Sequence, residues 1–136
     1  MSQANVDVVR RLYDALGGPE LDKVTEEIWD PEIEWHASEL FGVLHGREAV
    51  LRQIAEFADS FDDWQVVAEE LIDAGDEVVG VTHQRGSGKA SEASMNARYA
   101  IVFTIHANRI VRVREYATRA EAVKAVGLEE DATGRP

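Results

Sequence analysis

Hydrophobic positions recur at helical spacing through Val6, Val9, Leu12, Tyr13 and Leu16, which predicts an amphipathic helix that the Gly17-Gly18 pair ends. Leu21, Val24 and Ile28 repeat the spacing over a shorter helix. Pro31 keeps that helix from running far past Asp30, because proline lacks an amide hydrogen and restricts the residue before it. Alternation takes over at Ile33-Glu34-Trp35-His36, read as a strand that ends in a loop from Ser38 to Gly46. A third helix is predicted from Arg47, with Val50, Ile54, Phe57 and Phe61 on its apolar stripe and Asp62-Asp63 closing it.

The second half reads as an antiparallel meander. Trp64 to Ile72 and Glu77 to Arg85 flank Asp73-Ala74-Gly75-Asp76, a hairpin turn whose glycine supplies the positive φ. A Gly/Ser-rich connection, Gly86 to Ala93, leads to a long strand from Ser94 to Ile105, and His106-Ala107-Asn108 turns it into Arg109 to Ala117. Thr118 and Glu121 have capping-box spacing and open a short last helix that Gly127 ends. The polar tail Glu129 to Pro136 is expected to be disordered. Helices followed by a meander predict an α+β fold, in one domain over residues 1–128.

Composition sharpens this picture. The chain has 136 residues, with 26 acidic against 14 basic side chains and a net charge of −12. One domain of this length can bury a real core and enclose a cavity. Its charge argues against nucleic acid and anionic membrane as partners, since neutralising phosphates takes a surplus of Lys and Arg. The charge is uneven: residues 53–84 carry nine acids and no base, whereas 85–119 carry seven bases and two acids. Either these late bases pair with acids on neighbouring elements, or they line a pocket that accepts an anion. The absence of cysteine excludes disulfides, thiolate zinc sites and thiol nucleophiles. The first residues contain no apolar run of signal-peptide length, and no stretch approaches the roughly 18 apolar residues of a membrane span, so a cytoplasmic location is expected.

Few local motifs carry chemistry. Arg85-Gly-Ser-Gly-Lys89-Ala-Ser91 has His83 and Ala90 where a phosphate loop needs Gly and Ser/Thr, and it lies between two strands. The four histidines, 36, 45, 83 and 106, lack metal-ligand spacing, so no metal is expected. No Ser has a nucleophile-elbow setting. What remains is carboxylate, Tyr, His and Arg chemistry in an apolar pocket. Val111, Val113 and Glu115 share one strand face by period two, and Arg112, Arg114 and Tyr116 share the other. Glu115 therefore reads as an inward carboxylate that needs a partner, for which Arg98 on the preceding strand is the candidate, as a structural or a catalytic pair. His36 and His83 sit on strands where each is either a structural histidine or an acid/base group. Period two leaves open whether His83 and Arg85 or Thr82 and Gln84 face inward.

Three stretches carry a family likeness: Leu12-Tyr13-Asp14-Ala15-Leu16, His45-Gly46-Arg47-Glu48, and Asn108 to Tyr116 followed by Ala120 to Gly127. In this order of elements they resemble the SnoaL-like polyketide cyclase family of the nuclear-transport-factor-2-like, or ketosteroid-isomerase-like, superfamily. The resemblance implies a cone: a strongly curved, antiparallel-rich mixed sheet with three helices over its concave face and a short C-terminal helix. It implies a cofactor-independent isomerase, cyclase or hydrolase acting on a small hydrophobic carbonyl or polyketide-like compound, with a non-catalytic ligand-binding or dimerisation module as the alternative. It also implies a homodimer. Tyr13 matches the oxyanion tyrosine of steroid-isomerase-like members, while Trp35 and Ala100 stand where such relatives place acids. Glu115 and Arg98 match a carboxylate and the arginine of epoxide-hydrolase-like members. The expected catalytic set is Glu115, Arg98, Tyr13 and His83, with Trp35, His36, Val113 and Phe57 lining the substrate site. The expected partner is a small hydrophobic molecule bearing a carbonyl or carboxylate, without nucleic acid, membrane or cofactor.

Overall fold

Two apolar layers, one on each face of a six-stranded sheet, organise the chain. The structure, a computed structural model, describes residues 3–37, 42–88 and 94–128. Elements run α1 (Gln3–Ala15), α2 (Leu21–Ile28), β1 (Trp29–His36), β2 (Val43–His45), α3 (Arg47–Ala58), β3 (Gln65–Ala74), β4 (Glu77–Ser87), β5 (Ser94–His106), β6 (Arg109–Tyr116) and α4 (Arg119–Ala125). The sheet order is β2-β1-β6-β5-β4-β3, with β1 parallel to β6 and all other neighbours antiparallel. This is the expected α+β fold with a mixed sheet and a short C-terminal helix. Among the described residues, no helix is long and apolar enough to cross a membrane.

Strand periodicity sorts side chains between the layers. On β5, Ile101 and Phe103 join an inner core with Val9 and Leu12 of α1 and Val50 of α3, while Ala100 and Val102 join Ala122 and Val123 of α4 on the outer face. Two bulges interrupt the alternation. One lies on β3 between Ala68 and Glu70; the other leaves Val111 of β6 between the pairs Ile105–Ile110 and Thr104–Arg112. Bulges bend strands and increase their twist, which curves the sheet around its inner face.

The second bulge corrects the phase read from sequence: Ile110 enters the inner core and Val111 does not. Boundaries also differ, by one or two residues at the ends of β3 and β4 and by more elsewhere. The loop from Ser38 to Gly46 contains β2, whose three residues are too few to show period two. β1 begins at Trp29, with Pro31 in the irregular stretch between the Trp29–Ile110 and Glu34–Arg112 pairs, where its missing amide hydrogen costs no ladder bond. α3 stops at Ala58, and Phe61 bridges to Gly88. The turn signals held: Gly17, Gly75 and Gly127 have φ near 80°, and the Thr118 side chain accepts from the Glu121 amide. Gly86 and Ser87 of the expected connection belong to β4, paired with Met95 and Ser94, while residues 89–93 and the tail from Glu129 lie outside the described residues.

Candidate functional site

Between α1, α3 and the concave sheet lies a cavity of about 640 Å³. All three tyrosines line it, as do Trp35, Trp64, Phe57 and Phe103. The sequence places them there by two periods: Tyr13 follows Leu12 on the apolar stripe of α1, and Tyr99 shares the inward phase of Ile101 and Phe103 on β5.

Glu115 is the carboxylate set into the sheet wall. Its Cα pairs with that of Ile101 on β5, and Trp35 is in register with Val113 two residues earlier on β6. The indole Nε1–H of Trp35 donates to Glu115 Oε2 at 2.8 Å. Burial pushes the Glu115 carboxyl above the usual carboxylate range, and the Trp35 hydrogen bond partly opposes that rise.

Two phenols occupy different electrostatic positions. Tyr13 Oη lies 2.7 Å from Thr82 Oγ1, and Thr82 donates its own proton to the Gly80 carbonyl at 3.0 Å. The Tyr13 proton is therefore directed at Thr82 and not into the cavity. Its hydroxyl rests on Gly80, where a Cβ would collide with it. Tyr99 is reversed: Gln84 Nε2 donates to Tyr99 Oη at 3.3 Å, and Trp64 Nε1 donates to Gln84 Oε1 at 2.7 Å. Among the described residues, the Tyr99 hydroxyl proton has no acceptor. Burial, with Glu115 adding to it, raises the Tyr99 phenol well above its ordinary value; burial does the same for Tyr13.

The sequence-derived set divides. Glu115, Tyr13, Trp35 and Phe57 meet at the cavity. Arg98 does not: it points outward from β5 with its side chain 62% exposed and grips Glu69 at 3.0 and 3.4 Å, so the expected Glu115–Arg98 pair is absent. His83 is in register with Arg98 on the same outer face and contacts Asn96 at 2.6 Å. His36 contacts Glu34 at 2.7 Å and lies off the cavity wall, and Val113 is packed into the inner core behind it. Thr82 and Gln84 are the inward residues of β4. Ala100 faces α4, so no acid at that position would have entered the cone.

The late bases follow the pairing alternative. Besides Arg98, Arg114 pairs with Glu77 at 2.5 Å and Arg119 with Glu70 at 2.9 Å. Among the described residues, no Lys, Arg or His lines the cavity, which overturns the anion-accepting pocket. No group of three or more His, Asp or Glu among them is placed to hold a metal ion. Sequence reasoning missed Tyr99 and Trp64 and left Gln84 open; extending the phase of Ile101 and Phe103 to Tyr99, and across the ladder to Thr82 and so to Gln84, was the available signal.

A family model described as SnoaL-like domain matches residues 9–113. No curated protein sequence matches the chain. Among solved structures, a candidate SnoaL-like polyketide cyclase from Jannaschia sp. CCS1 superposes with a TM-score of 0.75 at 21% identity, covering 93% of this chain and 94% of that one. An NTF2-like protein of unknown function from Burkholderia pseudomallei gives 0.73 at 20% identity, covering 93% and 99%. A protein of ketosteroid isomerase-like fold from Catenulispora acidiphila, solved in complex with trimethylamine, gives 0.72 at 16% identity, covering 96% and 98%. Likeness at these identities establishes a shared fold.

Proposed function

Since the chain belongs to the SnoaL-like domain family, we propose that its cone binds a small, largely apolar molecule and that Glu115 exchanges a proton with it. The observation that carries this reading is a carboxylate, the one in the sheet wall among the described residues, set in an aromatic-lined cavity and held by the Trp35 indole. A carboxyl whose affinity for protons is raised by burial serves as acid and as base nearer neutrality than an exposed one. Tyr99 supplies the hydrogen bond to a ligand oxygen, because its proton is unoccupied while that of Tyr13 goes to Thr82. Tyr13 shapes the wall. Moving a proton between two positions of one molecule is isomerase- or cyclase-type chemistry and requires no cofactor.

A second reading, ligand binding without chemistry, is favoured by one feature: with Arg98 and His83 on the outer face, no basic side chain among the described residues faces Glu115. A fold neighbour solved with trimethylamine supports a small-molecule partner under either reading. A cytoplasmic homodimer completes the proposal, checked by the mass in solution.

The two readings separate in deuterated water. Hydrophobic ketones and enones that raise the melting temperature are incubated with the protein, and exchange of their acidic C–H positions is followed by NMR. The expected result is exchange that Glu115→Gln slows by roughly 10²- to 10⁴-fold. Binding without exchange supports the second reading; absence of binding by any such compound overturns the first, and absence of any stabilising small molecule in a broad screen overturns the second.

A further inference from the structure

We propose that the cone selects a cationic ligand, a hydrophobic compound whose protonated amine or quaternary ammonium group sits between Glu115 and the surrounding aromatic rings. This rests on the cone being the ligand site and adds the charge of its occupant. Three observations carry it.

The first is the sign of the lining. Glu115 stands in the wall and Glu121 of α4 also lines the cavity, while none of the described lining residues is Lys, Arg or His. The bases of these strands hold other partners: Arg98 holds Glu69, Arg114 holds Glu77 and the Tyr116 hydroxyl, Arg119 holds Glu70, Arg85 holds Gln65 and Arg109 holds the Trp29 carbonyl. An anion entering the cone would find no counter-charge in the described lining, whereas a cation beside Glu115 would gain an ionised carboxylate as its partner. The second is the chemistry of the walls. Trp35, Trp64, Phe57 and Phe103 line the same cavity as Glu115, and Phe57 meets Trp64 edge-on with centroids 6.2 Å apart. Aromatic walls attract a cation that reaches a ring face and tolerate a neutral hydrocarbon. The third is the geometry of the carboxyl. Among the described residues, Trp35 is its one hydrogen-bond donor and reaches Oε2, so Oε1 remains for a ligand's positive group.

Linkage follows. The titratable groups that feel Glu115 from the packed elements are Tyr13 on α1 and Tyr99 on β5; Tyr116 and Glu121 border the same cavity, with Tyr116 held by Arg114 on the outer face and the exposed Glu121 accepting from Thr118. Without ligand, burial favours the protonated Glu115 carboxyl; a cation favours the ionised form. Binding of a fixed cation therefore releases a proton, and its affinity rises with pH until Glu115 is ionised in the free protein.

The experiment uses three probes of matched shape: phenethyltrimethylammonium, its neutral carbon isostere (3,3-dimethylbutyl)benzene, and 4-phenylbutanoate. Quenching of tryptophan fluorescence reads their affinities for the full chain across pH 5 to 8. The ammonium probe is expected to bind at least roughly tenfold more tightly than the isostere at pH 8, with that preference shrinking at pH 5 and in Glu115→Gln. The butanoate is expected to bind most weakly. Equal or tighter binding of the isostere or the butanoate by the wild-type protein overturns the charge class and leaves the cone as a ligand site. If none of the three binds at any pH, the site reading fails as well, and the comparison on wild-type protein holds even if the variant does not fold.

Discussion

The Trp35 indole on β1 and the Glu115 carboxyl on β6 are joined across adjacent parallel strands by an N–H···O contact of 2.8 Å inside an aromatic cavity. Among the described residues, this indole is the one side-chain donor to the Glu115 carboxyl. Replacing the indole tests that relationship. Trp35→Phe keeps a ring and removes the N–H, so the Glu115 carboxyl should titrate still higher, followed by NMR of a carbon-labelled glutamate side chain. An unchanged or lower midpoint would show that Trp35 does not hold the carboxylate. The accompanying stability loss should be about 1 to 3 kcal/mol where Glu115 is ionised.

The same carboxyl sets a pH dependence. Its folded-state pKa lies above the unfolded value, so between the two the native state binds more protons than the unfolded one. Its contribution to stability is thus fully present at acid pH and declines as pH rises from about 4 through the folded midpoint. Glu115→Gln removes that decline. Urea titrations at successive pH values should show the variant gaining on wild type as pH rises through this window; a constant difference would contradict the assignment. The exposed carboxylates Glu27 and Glu69, lowered by Arg11 and Arg98, act in the opposite direction and cancel in the comparison.

Close packing of Tyr13 on Gly80 makes a third prediction. A methyl group at position 80 collides with the Tyr13 hydroxyl, which Thr82 prevents from swinging away. Gly80→Ala should cost about 1 to 3 kcal/mol, the range for overpacking a core. Tyr13→Phe should recover part of that loss, a coupling that denaturant unfolding of the four-member cycle measures. Strict additivity would show that the two sites do not meet.

Outer-face residues should be silent. The Arg98–Glu69 pair is exposed, and such pairs contribute at most about 1 kcal/mol. Arg98→Ala and His83→Ala are expected to leave cavity affinities within twofold of wild type, read by the same fluorescence titration. A larger loss from either would return them to the site.

What the sequence carried was periodicity. Four helices, the four-stranded meander and the Thr118 cap were legible because each rests on local spacing or on one residue's chemistry. Glu115 was legible as inward because no bulge separates it from Val113. Arg98 was misplaced for a physical reason: its register partner across β4 and β5 is His83, so both share the outward phase, while Glu115 is registered with Ile101 on the inward one. Pairing register is a property of two strands and does not appear in either alone. The Trp64–Gln84–Tyr99 chain was hidden in the same way, since it joins residues whose contact depends on that register.

The three tryptophans give the most direct test that the cone is the ligand site. Trp35 and Trp64 line the cavity with their indole N–H groups on Glu115 and Gln84, whereas Trp29 is fully buried in the core behind it. In a nitrogen–proton spectrum of the indole groups, a compound that raises the melting temperature should move the Trp35 and Trp64 signals more than that of Trp29, which meets the Trp35 ring edge-on from the core side. Stabilising compounds that leave Trp35 and Trp64 unmoved would place binding elsewhere and contradict the account.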